Sequence, residues 1–219
     1  MALVVLVAIV AVGLAAFALQ YQARQARARA AAALAQRVGF TFAAADTAGI
    51  PDLPFPFFRL GRGRKAQLVL TGTHNQLPLQ LFDYQYYVDT GRSREYHRFT
   101  CALLTIPAAC PLLRLSHENV LTKLEDHLTH HDVKLEYDDF NQRFLVQCED
   151  QKFAFALLDG EMMQWLLAAD GFQRVEIVGP WILLVRQRLA PASWLDLGTW
   201  LDAFHAHIPP IVYSSFPRT

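Results

Sequence analysis

Residues 77–88 read Leu-Pro-Leu-Gln-Leu-Phe-Asp-Tyr-Gln-Tyr-Tyr-Val, and their alternation decides the fold class. Leu79, Leu81, Asp83, Gln85 and Tyr87 share one face of an extended strand, and Gln80, Phe82, Tyr84, Tyr86 and Val88 share the other, because strand side chains point alternately to opposite sides. A turn-rich stretch follows from Asp89 to Arg94, and a second strand pattern runs from Tyr96 to Ile106. The two runs predict a long hairpin. Tyr84, Tyr86, Tyr87 and Tyr96 are spaced as cross-strand packing partners.

Working outward, residues 67–71 predict a strand that turns at Gly72-Thr73-His74-Asn75. Downstream, Pro107 and Pro111 predict the end of the hairpin, with one more short strand at residues 112–115. Ser116 stands at an N-cap position, and Val120, Leu121, Leu124 and Leu128 recur at helical spacing, so residues 117–129 predict a helix. A second hairpin is expected from residues 133–137 and 143–149 around Asp138-Asp139-Phe140-Asn141. Residues 152–158 and 161–168 read as helical turns bent near Asp159-Gly160, and residues 174–178 and 181–186 as strands joined by Gly179-Pro180. A last helix follows Pro191, with Leu197, Trp200, Leu201, Phe204 and Ile208 on one stripe and Pro209-Pro210 stopping it. Strands and helices mix without β-α-β regularity, which predicts an α+β fold with a mainly antiparallel sheet and packed helices.

The N-terminus is different in kind. From Ala2 to Leu19 only Gly13 falls outside the apolar set. As a helix this run is ~27 Å long at ~1.5 Å per residue, close to the ~30 Å hydrocarbon thickness of a bilayer. It predicts a transmembrane helix. Tyr21, Arg24, Arg27 and Arg29 then fall at the membrane interface, on a basic helical stalk that ends near Gly39. No Lys or Arg precedes the apolar run and four Arg follow it by residue 37, so the positive-inside tendency predicts a single-pass protein of the cell membrane with its C-terminal domain cytoplasmic. The rival is a cleaved signal peptide, since Ala16-Phe17-Ala18 matches a small-residue cleavage pattern. The run lacks a positive leading region and exceeds a typical signal core.

Composition agrees. The chain of 219 residues is 53% hydrophobic and 18% charged, with zero formal net charge. Without Met1 to Leu19 the rest is ~49% apolar, inside the globular range. The zero is a cancellation: residues 1–110 carry 11 basic and 5 acidic side chains, residues 111–170 carry 5 and 12, and residues 171–219 carry 4 and 3. The basic part lies next to the expected membrane segment. Cys101, Cys110 and Cys148 are odd in number and form no C-x-x-C, so they predict small apolar fillers in a reducing compartment.

Residues 40–65 contain Pro51, Pro54, Pro56, Gly61 and Gly63 and predict a linker between the stalk (residues 1–39) and the domain (residues 66–215). Its Phe55, Phe57 and Phe58 are too apolar to stand in water and are expected to pack on the domain, with contact at the membrane interface as the alternative. Arg59, Arg62, Arg64 and Lys65 form a candidate contact for anionic lipid. Nucleic acid is not expected, because no regular aromatic platform accompanies this short basic run.

No catalytic, cofactor-binding or metal-binding residue emerges, and no cofactor is expected. His127 and His131 stand one helical turn apart next to His130 and Asp132 and could share a metal ion, but two placed ligands fall short of the three or four a zinc site needs. The sequence has no G-x-S-x-G, and Gly61-Arg62-Gly63 lacks the rest of a phosphate loop. Asp138 and Asp139 read as turn chemistry.

Several motifs do resemble something known. They are Phe82-Asp83-Tyr84-Gln85-Tyr86-Tyr87, Tyr96-His97-Arg98-Phe99-Thr100, Phe140-Asn141-Gln142-Arg143-Phe144, and Phe153 to Asp159 followed by Met162-Met163-Gln164-Trp165-Leu166-Leu167. Over roughly residues 55–215 the chain resembles an uncharacterised family of small actinobacterial single-pass membrane proteins with a cytoplasmic α+β domain. The resemblance implies topology and transfers no active site. In physical terms Phe140 and Phe144 are expected to plug a hairpin onto the following helix, with Asn141 and Arg143 tying the turn to backbone carbonyls or to Asp150. The expectation is therefore an interaction or scaffolding module at the cytoplasmic membrane face with a protein partner. The competing reading is a membrane-associated metal-dependent hydrolase using the region from His127 to His131.

Overall fold

The computed structural model describes residues 1–117, 132–169 and 171–218, with the backbone alone at residues 2–4, 8 and 9. The helix expected over 117–129 and the histidines at 127, 130 and 131 fall outside the described residues, apart from His117, which ends a strand.

Helix α1 runs unbroken over Ala2–Val38. Gly39 ends it in the left-handed conformation (φ 74°), its N–H reaching back to the carbonyls of Ala35 and Gln36, as a glycine past a helix end does. The chain then enters β1 (Thr41–Ala45), two 3-10 turns (Ile50–Asp52 and Pro56–Arg59), β2 (Arg62–His74), β3 (Leu77–Asp89) and β4 (Arg94–His117). After the undescribed residues come α2 (Asp138–Arg143), β5 (Phe144–Cys148), α3 (Gln151–Leu157) and α4 (Gly160–Ala168). The chain closes with β6 (Arg174–Gln187), α5 (Trp194–Ala206) and α6 (Pro210–Ser215).

The described strands form one antiparallel sheet ordered β1-β2-β3-β4-β5, with β6 along the other side of β4. The fold is α+β with a mainly antiparallel sheet. The expected hairpin is β3-β4, in the register Tyr87 opposite Tyr96 and Asp83 opposite Thr100. The preceding turn is tighter than the sequence suggests: β2 and β3 join through Asn75 and Gln76, both at positive φ, the pattern of a two-residue hairpin that matches strand twist. Gly72 lies inside β2, where a Cβ would come within 2.1 Å of the Phe40 ring.

Three expectations are corrected. First, residues 40–65 are no linker: they supply β1, two turns and a layer of the core, in which Phe55, Phe57 and Phe58 are buried. Phe58 lies 4.8 Å and Phe57 5.3 Å from the Tyr84 ring, and the apolar area they hide outweighs the irregularity that prolines and glycines impose. Second, the pairing of β3 with β4 ends at Leu104, ahead of Pro107 as expected, but Pro107 and Pro111 do not interrupt the strand itself. β4 continues for 24 residues, and its register with β6 shifts between Thr105 and Cys110 and again before Leu113. At this irregular stretch the C-terminus pairs on β4 through Ala109 N–H to the Phe216 carbonyl, so a missing proline N–H breaks no regular ladder. Third, residues 138–143 form a helix instead of a hairpin turn, and Val133 meets Val146 through a single backbone bond. A further short helix, α6, follows Pro209, where a stop was expected, with Pro210 as its first residue.

The alternation of β3 sorts the two layers. Leu79 and Leu81 face the larger core, which includes Ala31, Leu34 and Ala35 of α1 and the buried side of α3, α4 and α5. Phe82, Tyr84 and Tyr86 face the layer built by residues 50–60. Phe140 and Phe144 are buried 4.8 Å apart in the larger core. Asn141 pins the turn by accepting from Leu135 N–H and donating to the Leu135 carbonyl. Arg143 donates to the carbonyl of Leu167 at 2.6 Å.

Candidate functional site

Asp83 continues the face of β3 that holds Leu79 and Leu81, yet it is a carboxylate and nearly buried. Such a group needs partners, and α1 brings one. Arg27 donates Nε to Asp83 Oδ2 and Nη2 to Oδ1, each at 2.6 Å, and Nη2 also donates to the Leu189 carbonyl at 2.6 Å. The two-pronged geometry is the strong form of this contact. Arg188 adds Nη2 to Oδ2 at 3.3 Å, and Thr100 donates its hydroxyl to Oδ1 at 3.3 Å while accepting from Leu189 N–H. The Arg27 guanidinium also lies 5.6 Å from the Trp194 ring centre.

One helix face makes this possible. Arg27, Ala31, Leu34 and Ala35 recur at helical spacing, and the last three are buried. The small side chains let α1 approach the sheet closely. One turn before Arg27, the helix lifts away and leaves a cleft of about 510 Å³ lined by Gln20, Ala23, Arg24 and Arg27 of α1 and by Lys65, Gln67, Gln85, Arg98 and Arg188. Lys65, Gln85 and Arg98 form one row across β2, β3 and β4 by register. Asp83 lies at the inner end, shared by two arginines. The cleft therefore carries more positive charge than its described carboxylate neutralises. Burial lowers the pKa of Arg188 from its ordinary value, the positive charges of Arg27 and Arg98 lower it further, and Asp83 opposes both.

The expected interface residues divide. Tyr21, Arg24 and Arg29 are exposed on α1, whereas Arg27 turns onto the sheet as the clamp to Asp83. The expected lipid-contact run divides too. Arg59 donates to the carbonyls of Asp52 and Leu53, Arg64 to that of Gly61, and Arg62 faces Asp89 at 3.7 Å. Lys65 alone of the four lines the cleft. Arg98, Arg188 and Asp83 were missed by sequence reading. The available signal was the carboxylate placed among leucines on one strand face, together with the stripe at residues 27, 31, 34 and 35.

The fold has a solved counterpart. It is similar to the crystal structure of the mycobacterial trehalose monomycolate transport factor A, TtfA, with a TM-score of 0.61 over 84% of this chain and 97% of that one, at 13% identity. That likeness bears on the fold. No family model and no curated protein matches the chain.

Other polar groups in the described residues serve the architecture. Glu176, fully buried, accepts from Phe57 N–H at 3.0 Å and faces Arg114 and Arg174 at 3.3 and 3.4 Å, which ties residues 56–59 to β4 and β6. His74 and Asn75 both reach Asp202, at 2.8 and 2.7 Å, joining the β2-β3 turn to α5. No three of His, Cys, Asp and Glu gather around a common point among the described residues.

Proposed function

We propose that this protein is a membrane-anchored interaction module: α1 crosses the cell membrane with the run from Ala2 to Leu19, and the domain meets a protein partner at the cytoplasmic surface. The carrying observation is the continuity of α1. Its apolar N-terminal part is long and apolar enough to cross a membrane, its described side chains are exposed, and the same helix ends inside the domain core. A flexible tether would only raise local concentration. A helix locked by Arg27 to Asp83 and by Ala31, Leu34 and Ala35 instead fixes the height and tilt of the domain relative to the bilayer, which suits presentation of a surface to a membrane-embedded partner. The fold neighbour is named a transport factor; we extend that class of accessory role, without its cargo, to this chain. The suggested kinship with actinobacterial single-pass proteins is part of the same proposal.

The test has two parts. Alkaline phosphatase fused after Thr219 should be inactive and a fluorescent protein fused there should be bright, and the chain should resist carbonate extraction. Active phosphatase overturns the cytoplasmic placement. In-cell crosslinking should then give a discrete adduct that is lost when a Gly-Ser stretch is inserted between Tyr21 and Gln22. An unchanged adduct rejects the need for a rigid connection.

A further inference from the structure

We propose that the cleft between α1 and the β2-β3-β4 face receives the phosphate of an anionic membrane lipid. This deepens the anchor reading above and rests on it.

The cleft holds charge that the described residues leave unpaired. The side chains of Arg24, Lys65 and Arg98 are exposed and make no hydrogen bond or ion pair with any described residue, although the Arg98 guanidinium lies 5.9 Å from the Tyr96 ring centre. Arg27 and Arg188 at the inner end already share Asp83. Cations held around one concavity repel each other and are stabilised by an anion placed between them. Arginine forks match the oxygens of a phosphate in paired hydrogen bonds, and the carboxamides of Gln67 and Gln85 add neutral donors on the floor. The volume of about 510 Å³ lies in the ~300–1,000 Å³ range of small-molecule sites, so it has room for a headgroup as well as its phosphate.

The position of the cleft along α1 favours a lipid over free phosphate. Gln20 and Arg24 are one and five residues beyond Leu19, the last residue of the apolar run. At ~1.5 Å per residue they stand ~1.5 and ~7.5 Å past the hydrocarbon boundary. The polar zone of each leaflet is about 5–8 Å deep. The helical wall of the cleft therefore begins at the level of lipid phosphates when the apolar run spans the bilayer.

The test uses the full chain in neutral detergent, loaded with equal amounts of phosphatidylglycerol and phosphatidylcholine, with retained lipid read by native mass spectrometry. Wild type should retain phosphatidylglycerol preferentially. The triple variant Arg24→Gln, Lys65→Gln and Arg98→Gln should keep its melting temperature and lose about a hundredfold of that preference, since each basic residue near an anionic surface contributes about fivefold. Arg59→Gln, at a guanidinium that already caps its own loop, should leave the preference intact. If the triple variant melts early, the three single variants are read instead, each expected to lose about fivefold.

An unchanged preference in these variants overturns the proposal. Displacement of phosphatidylglycerol from wild type by excess inorganic phosphate also overturns it, by assigning the cleft to a soluble anion. Carbonate extraction from phosphatidylcholine vesicles separates the two readings. A chain that stays inserted but shows no headgroup preference rejects only the cleft, and a chain that is extracted rejects the anchor and the cleft together.

Discussion

Arg27 and Asp83, 56 positions apart in the chain, meet in a paired contact with both distances at 2.6 Å. Their side chains are 15% and 11% exposed, so the pair is shielded enough to matter for folding and for the angle at which α1 leaves the domain.

Removal of the two partners should not be equivalent. Asp83→Asn leaves Arg27 and Arg188 facing each other without a counter-charge and should cost about 3 kcal/mol, the low end for breaking a buried pair. Arg27→Met leaves Asp83 with Arg188 and Thr100 and should cost less. Chemical denaturation of the detergent-solubilised protein measures both, and equal losses would refute the shared-carboxylate picture.

Phe144 packs against Phe140 at 4.8 Å and stacks on Phe172 at 5.6 Å, with 3% of its surface exposed. Phe144→Ala should lower stability by about 3–5 kcal/mol. Phe155, half exposed on α3, is the control, and its alanine variant should shift stability by less than about 0.5 kcal/mol.

Cys101, Cys110 and Cys148 are buried and free of disulfides. Burial raises all three thiol pKa values, that of Cys110 to about 12, which suppresses the thiolate that reacts. In the folded protein none should react with a thiol-specific disulfide reagent at neutral pH, and all three should react once the chain is unfolded. Fast labelling of the native state would contradict their placement in the core.

His205 on α5 has its pKa lowered from 6.5, chiefly by burial, with Asp202 opposing the shift. Because the folded state holds this proton less tightly than the unfolded chain, its contribution to stability is complete above the ordinary histidine value and is lost as pH falls through the folded one. Stability measured against pH should decline below about pH 6.5. His205→Asn should flatten that part of the curve; an unchanged slope would assign the decline to other groups.

Local pattern predicted what depends on neighbours in the chain. Strand alternation at residues 77–88, the apolar run from residue 2 to 19 and the stop at Gly39 involve residues within a few positions of each other, so periodicity and capping report them directly. Arg27 read as one more basic residue of a stalk because its partner lies 56 positions away. The prolines at 51, 54 and 56 excluded a regular helix, and the apolar character of Phe57 and Phe58 announced their burial, but only the fold shows that they settle on Tyr84 and that their segment is a layer of the core and no linker. Pro107 and Pro111 looked like strand ends because only the assembled sheet shows that β4 is irregular there and receives the C-terminus.

The apolar N-terminal segment, the two faces of the central hairpin and the last long helix follow from residue periodicity alone. The cleft does not, because it is made of side chains from α1, three strands and the segment after β6. Only chain closure brings those charges together, and the buried carboxylate of Asp83 decides which arginines lock the helix and which remain at the cleft mouth.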